Sequence, residues 1–206
     1  MITIWGRTNS LNVQKVLWVL EELSLPYERI DAGLTYGVND TAAFKVMNPN
    51  GLVPVLKEDD FILWESHAIL RYLAARHGRG TLWSGDGRVA AISDQWLDWC
   101  STTVWPNMRP VFQNLVRTPA DQRDHQALAA GIKSVAENFL ILNNALQNRR
   151  YIAGEAFTIA DISLALLAFR WYSLVSDRPQ TPAVDAWFER VSVREGYRKH
   201  GSAPLT

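Results

Sequence analysis

Three short segments carry side chains whose types and spacing could do chemistry. The first is Asn9-Ser10-x-Asn12, which lies between a strand pattern and a helix pattern. A helix N-terminus favours an anion, because its first N–H groups are unpaired and its dipole is positive there. A hydroxyl at that point can donate to a thiolate, a phosphate or an oxyanion. Ser and Asn also serve as ordinary N-caps that accept those same N–H groups. The second segment is Gly51-Leu52-Val53-Pro54, directly before a strand pattern. Proline is tolerated at a strand's first position, where no ladder donor is needed. Such a turn leaves the Val53 N–H and C=O to pair with a peptide-like ligand by strand addition. Few X–Pro bonds are cis, so residue types alone favour trans. The third segment is Trp64-Glu65-Ser66, at the junction of a strand and a helix. Ser66 reads as an N-cap and Glu65 as a solvated charge. The same pair can hold the two charges of an α-amino acid, its carboxylate on Ser66 and nearby N–H groups, its ammonium on Glu65.

The elements that must position these segments follow from hydropathy. Ile2–Trp5 alternates like a short strand. Val13, Val16, Leu17, Leu20 and Leu23 recur at helical spacing. Tyr27–Asp31 is a second strand after Pro26. A short helix is expected near Thr41–Val46. Met47-Asn48-Pro49-Asn50-Gly51 is turn chemistry. Leu52–Lys57 and Phe61–Trp64 flank an acidic turn and read as a hairpin. Ser66–Arg76 is an amphipathic helix. The first two strands enclose a helix, so they should be parallel. Gly78–Gly87 reads as a linker, which gives domains over 1–78 and 88–206. The second half is helical, with helices expected near Arg88–Leu115, Ala120–Gln147, Ile159–Ser173 and Pro182–Val193. Thr158-x-x-Asp161 is a variant capping box at the start of the third of these, and a structural role is its preferred reading.

Composition narrows the function classes. Lys+Arg and Asp+Glu number 21 each, so the formal net charge is zero. Residues 1–78 hold 7 basic and 9 acidic side chains, so charge is not segregated. A nucleic-acid binder needs a basic surplus, which is missing. The single cysteine, Cys100, excludes an intrachain disulfide and a multi-cysteine zinc site. The four histidines show no short ligand spacing, so no metal is expected. No apolar run reaches the 18 residues of a membrane span, and the N-terminus lacks a signal-peptide core. The chain therefore reads as cytoplasmic. Nine tryptophans are the one unusual count, and they hint at an aromatic-lined site or an interface.

In their order and spacing these motifs resemble the cytosolic glutathione transferase superfamily, in its bacterial, theta- or delta-like serine type. The resemblance covers essentially the whole chain. It rests on Ser10-x-Asn12-x-x-Lys15-Val16, Asn48-Pro49-x-Gly51-x-Val53-Pro54, Leu63-Trp64-Glu65-Ser66-x-Ala68-Ile69-x-x-Tyr72-Leu73 and Phe157-Thr158-Ile159-Ala160-Asp161-Ile162. It implies an α/β thioredoxin-like domain with Pro54 cis, followed by an all-α bundle in which the Ile159 helix is central and buried. It implies a homodimer, a role in detoxification, and glutathione as co-substrate. The glutathione contacts it implies are Asn50, Val53, Pro54, Glu65, Ser66 and His67, with Ser10 or Asn12 on the sulfur. His67 is a departure, since serine classes often carry arginine after the Glu-Ser pair.

The chemistry implied is thiolate activation. A free thiol titrates near about 8.5, and a helix N-terminus lowers that value. Residues 6–15 contain neither tyrosine nor cysteine, which disfavours tyrosine activation and excludes cysteine chemistry. The expected reaction adds the thiolate to an apolar electrophile. Glutathione-dependent peroxide or disulfide reduction is one alternative, and a non-catalytic binding module of the same fold is the other. The second-substrate pocket is expected between the domains, lined by Trp5, Arg7, Trp105, Arg109, Phe112 and Trp171. Trp105, Arg109 and Phe112 are i,i+4 and i,i+3 neighbours on one helix.

Overall fold

The computed structural model describes all 206 residues. It divides into two compact units, Met1–Arg79 with Glu195–Ala203, and Gly80–Arg194 with Pro204–Thr206. In the first, β1 (Ile2–Trp5) leads to α1 (Leu11–Glu22) and β2 (Tyr27–Ile30). Then come α2 (Ala42–Met47), the hairpin β3 (Val55–Glu58) and β4 (Phe61–Trp64), and α3 (Ser66–His77). The sheet order is β2-β1-β3-β4. β1 and β2 are parallel, with Ile2 beside Tyr27 and Trp5 beside Ile30. β3 runs antiparallel to both β1 and β4. This is a thioredoxin-like arrangement. β3 starts at Val55 rather than Leu52, because the preceding residues are held in the Asn48 turn described below.

Period two along β1 sends Ile2 and Ile4 into the core. Trp5 points to the opposite face, against Ala32, Phe44, Val55, Met47 and Val53. α1 is buried on most of its circumference from Val13 to Leu20, because more than one neighbour covers it. α3 packs on one side. On another, the chain returns after the helical unit and lays Tyr197–Gly201, a π-helical turn, against Trp18. The Tyr197 ring meets Trp18 edge-on at 5.4 Å. Gly196 is required there: a Cβ would lie 2.1 Å from Trp18 Cδ1. Lys199 closes the contact with an ion pair to Glu21 at 2.6 Å. Residues 195–203, expected in the second domain, therefore belong to the first unit.

The second unit is helical: α4 (Gly87–Trp99), α5 (Trp105–Phe112), α6 (His125–Leu146), α7 (Ile159–Leu174) and α8 (Pro182–Ser192). The expected helix Arg88–Leu115 is interrupted by π-helical segments at Cys100–Val104 and Gln113–Arg117. Pro106 and Pro110 lack N–H donors in this stretch, and a proline disrupts the i→i−4 ladder. The Trp105 N–H duly reaches Cys100 O, five residues back. α6 starts at His125 and not at Ala120, because Asp124 caps it by accepting from Ala127 N at 2.9 Å. α7 is mostly apolar and is buried over twelve of its sixteen residues, Asp161, Ser163 and Arg170 among them, as a central helix must be.

Asp161 anchors the start of α7 in the capping box read from Thr158-x-x-Asp161. Its Oδ1 accepts from Ile152 N at 3.0 Å and from Trp187 Nε1 at 2.9 Å. Its Oδ2 accepts from Thr158 N at 2.8 Å and Thr158 Oγ1 at 3.1 Å. Burial pushes its carboxyl above the usual range, although all four hydrogen bonds act the other way.

Candidate active site

The loop Gly6–Asn9 carries the chain from β1 into α1. Gly6 takes φ 156°, and a Cβ there would lie 2.4 Å from Val13 Cγ2, so only glycine lets the loop approach the helix this closely. Ser10 then occupies the N-cap position with extended backbone. Its carbonyl accepts Gln14 N at 2.8 Å. Its hydroxyl makes no capping hydrogen bond, so it is not committed to the helix as an ordinary cap would be.

The start of α3 differs from the expectation. Glu65, not Ser66, holds the N-cap position, at φ 70° and ψ 114°. A non-glycine residue in this region carries roughly 1–3 kcal/mol of strain, and such residues gather at ligand sites. Its side chain is exposed, while Ser66 and His67 are buried in the first turn. The first ladder bond of α3 runs from Ile69 N to Glu65 O at 2.9 Å. The N–H groups of Ser66, His67 and Ala68 precede it, and in any helix these have no intrahelical partner.

The structure joins the two helix starts. Ser66 Oγ donates to Asn12 Oδ1 at 3.3 Å. Lys15 Nζ donates to the same oxygen at 3.0 Å and lies 3.0 Å from His67 Nε2. Two pairs of residues far apart in sequence thus form one cluster. Lys15 is the member whose role sequence reasoning missed. It stood in a quoted motif, and the signal was a lysine one turn after Asn12, set among the apolar Val13, Val16 and Leu17.

The Val53–Pro54 peptide is cis. The turn before it is organised by Asn48, which is buried. Asn48 Nδ2 donates to Leu52 O at 2.8 Å, and its Oδ1 accepts Asn50 N and Asn50 Nδ2 at 3.1 and 3.0 Å. The Asn50 side chain is thereby engaged inside the turn. Val53 lies outside the ladder that begins at Val55, and its N–H and C=O make no hydrogen bond within the chain.

The remaining candidates are dispersed. Arg7 sits in the first loop, half-buried, with its guanidinium near Gly33. Trp5 packs on the α2 side of the sheet. On α5, Trp105 is half-buried, Arg109 exposed, and Phe112 buried beneath the Arg117 guanidinium. Trp171 is a correction: it is fully buried and stacked on Phe139 at 5.5 Å, so it is core and offers no surface to a ligand. No group of His, Cys, Asp and Glu has the geometry of a metal site, and no helix is long and apolar enough to cross a membrane.

Comparison with known proteins agrees with this geometry. The sequence model "Glutathione S-transferase, N-terminal domain" matches residues 1–75, and "Glutathione S-transferase, C-terminal domain" matches residues 102–195. Glutathione S-transferase GstB of Escherichia coli K12 is 40% identical over 208 residues, covering 100% of both chains. Glutathione S-transferase 3 of Zea mays is 33% identical over 208 residues, covering 96% of this chain and 92% of that one. Among solved structures, the theta class glutathione S-transferase of Xanthomonas axonopodis pv. citri, with glutathione bound, superposes with a TM-score of 0.95. It is 39% identical and covers 100% of this chain and 99% of its own. Two helix starts joined through one asparagine, an unpaired Val53 backbone and these full-length likenesses lead to one conclusion: the chain belongs to the glutathione S-transferase family.

Proposed function

We propose that this protein transfers the glutathione thiolate to an apolar electrophile, with Ser10 as the principal donor to the sulfur. The observation that carries this reading is the Asn12 bridge between the start of α1 and Ser66. It sets a thiolate-favouring helix terminus beside a carboxylate-favouring one. Glutathione carries its thiol on the central cysteine and an α-amino acid at its γ-glutamyl end. Its γ-glutamyl carboxylate suits Ser66 and the N–H groups of α3, its ammonium suits Glu65, and its peptide suits Val53. Trp105 and Arg109 are the residues we assign to the second substrate. Retention on immobilised glutathione, followed by a conjugation assay with an aryl or alkyl halide, tests the reading. A protein that is not retained and does not conjugate overturns it.

The sulfur assignment has its own test. Ser10→Ala should raise the pKa of the bound thiol by about one to two units, the equivalent of losing a charge-assisted hydrogen bond. Glutathione affinity should change far less, because the Glu65–Ser66 end sets it. Asn12→Ala should give the smaller shift. Absorbance of the thiolate against pH reads both variants. A shift in Asn12→Ala with none in Ser10→Ala transfers the principal role to Asn12.

The protein is also proposed to work as a cytoplasmic homodimer in detoxification. Supporting the dimer, Val46, Leu52, Phe61 and Trp64 are large, apolar, exposed, and all in the first unit, and exposed apolar surface of this kind marks interfaces. Sedimentation at micromolar concentration should give twice the 23.3 kDa chain mass. A single-chain mass rules the dimer out.

A further inference from the structure

Lys15 is only 4% exposed, yet its ammonium meets two side chains of the proposed glutathione site. An ammonium only donates, so each partner must accept. At 3.0 Å from Nζ, Asn12 therefore presents its oxygen, and that oxygen also takes the Ser66 hydroxyl at 3.3 Å. Turning the amide over would set its NH2 against the Lys15 ammonium, which cannot accept, whereas the Ser66 hydroxyl could reverse its role. Lys15 lies one turn toward the C-terminus of α1, so the oxygen is held on that side. With that oxygen taken by Lys15 and Ser66, the Asn12 amide has only its N–H pair left to offer a ligand. The same rule fixes His67. At 3.0 Å from Nζ its Nε2 must carry the lone pair, which places the ring proton on Nδ1.

We propose that Lys15 is a positioning residue for the thiol half of the reaction: it locks the Asn12 amide so that its N–H pair faces the sulfur. This rests on the reading of the site given above. Lys15 contacts Asn12 and His67. It acts through Asn12, and the shared oxygen makes the sulfur end and the Ser66 end a single rigid unit. A buried lysine kept for packing alone would not influence the sulfur.

The test uses the full-length protein. Lys15→Met keeps chain length and removes the donors. It should raise the pKa of bound glutathione's thiol by about half a unit to one unit, the effect expected of Asn12→Ala. That corresponds to a roughly three- to tenfold smaller thiolate fraction and kcat below the pKa. The double variant Lys15→Met/Asn12→Ala should be no worse than Asn12→Ala alone, because the two changes remove one interaction. An unshifted titration in Lys15→Met, or fully additive effects, overturns the proposal. Nitrogen-15 NMR of the unaltered protein should show His67 protonated at Nδ1. A proton on Nε2 breaks the Lys15 geometry and overturns the proposal even if Lys15→Met fails to fold. Calorimetry of the unaltered protein with glutathione separates the two failures: no binding there defeats the reading of the site, whereas binding with an unmoved Lys15→Met titration defeats only the role of Lys15.

Discussion

Replacing Asp161 by alanine should destabilise the helical unit by roughly 3–5 kcal/mol, the range for stripping a buried charged acceptor from its partners. The carboxylate is 0% exposed and collects four donors from three residues. Alanine leaves the Ile152 N–H and the Trp187 indole N–H with no acceptor in a site that water does not reach. Each orphaned donor costs about 1–3 kcal/mol, and only Thr158 has freedom to re-pair. Asp161→Asn sharpens the argument. Each carboxylate oxygen serves two donors, so an amide of the same shape must turn its NH2 toward one pair. It should lose about half of the alanine effect. Urea unfolding followed by tryptophan fluorescence checks both variants, since Trp187 itself reports the site. An Asp161→Asn midpoint equal to that of the unaltered protein would refute the hydrogen-bond account.

The second large effect belongs to Glu65. Glu65→Ala should weaken glutathione binding by about 2–3 kcal/mol, or roughly 30- to 150-fold, the magnitude of a hydrogen bond to a charged group with its partner left unpaired. Glu65 stands at φ 70° with its side chain exposed. Its backbone starts α3, but its side chain makes no capping hydrogen bond, so the chain's stability should hardly change in the variant. Glu65→Gln keeps the acceptor oxygen but not the charge and should fall between the two. Titration calorimetry gives the affinity directly, and thermal melting confirms that the fold is intact. Unchanged affinity in Glu65→Ala would move the ammonium contact elsewhere.

Much of this arrangement is written in local sequence. Alternation in Ile2–Trp5, the crossover helix and the hairpin around Glu58-Asp59-Asp60 lead directly to the mixed sheet. Ser10, Pro54 and Glu65-Ser66 were legible because each sits where a strand gives way to a helix or a turn to a strand. What stayed hidden depends on contacts between distant segments. Which residue caps α3 is decided by the backbone of Glu65, and Ser66 is the better cap by type. Trp171 resembles a pocket aromatic in sequence, and only the position of α7 at the centre of its unit makes it core. The Lys15–Asn12–Ser66–His67 cluster joins two helices more than fifty residues apart, and no periodicity announces it. Nor does composition reveal that residues 195–203 leave the helical unit.

That return of the chain has a consequence for biosynthesis. Glu21 and its partner Lys199 are 178 residues apart in sequence. A ribosome extending the chain by ~5–20 residues per second needs roughly 10–35 s to bridge that gap. Throughout this interval the sheet and its helices can form, but Trp18 has neither Gly196 nor Tyr197 against it. The sheet-containing unit is made before residues 195–203 and is sealed only by them, so the nascent protein carries an open aromatic face while its entire helical half is being made. Chaperone occupancy on the translating ribosome should therefore persist almost to the final residues.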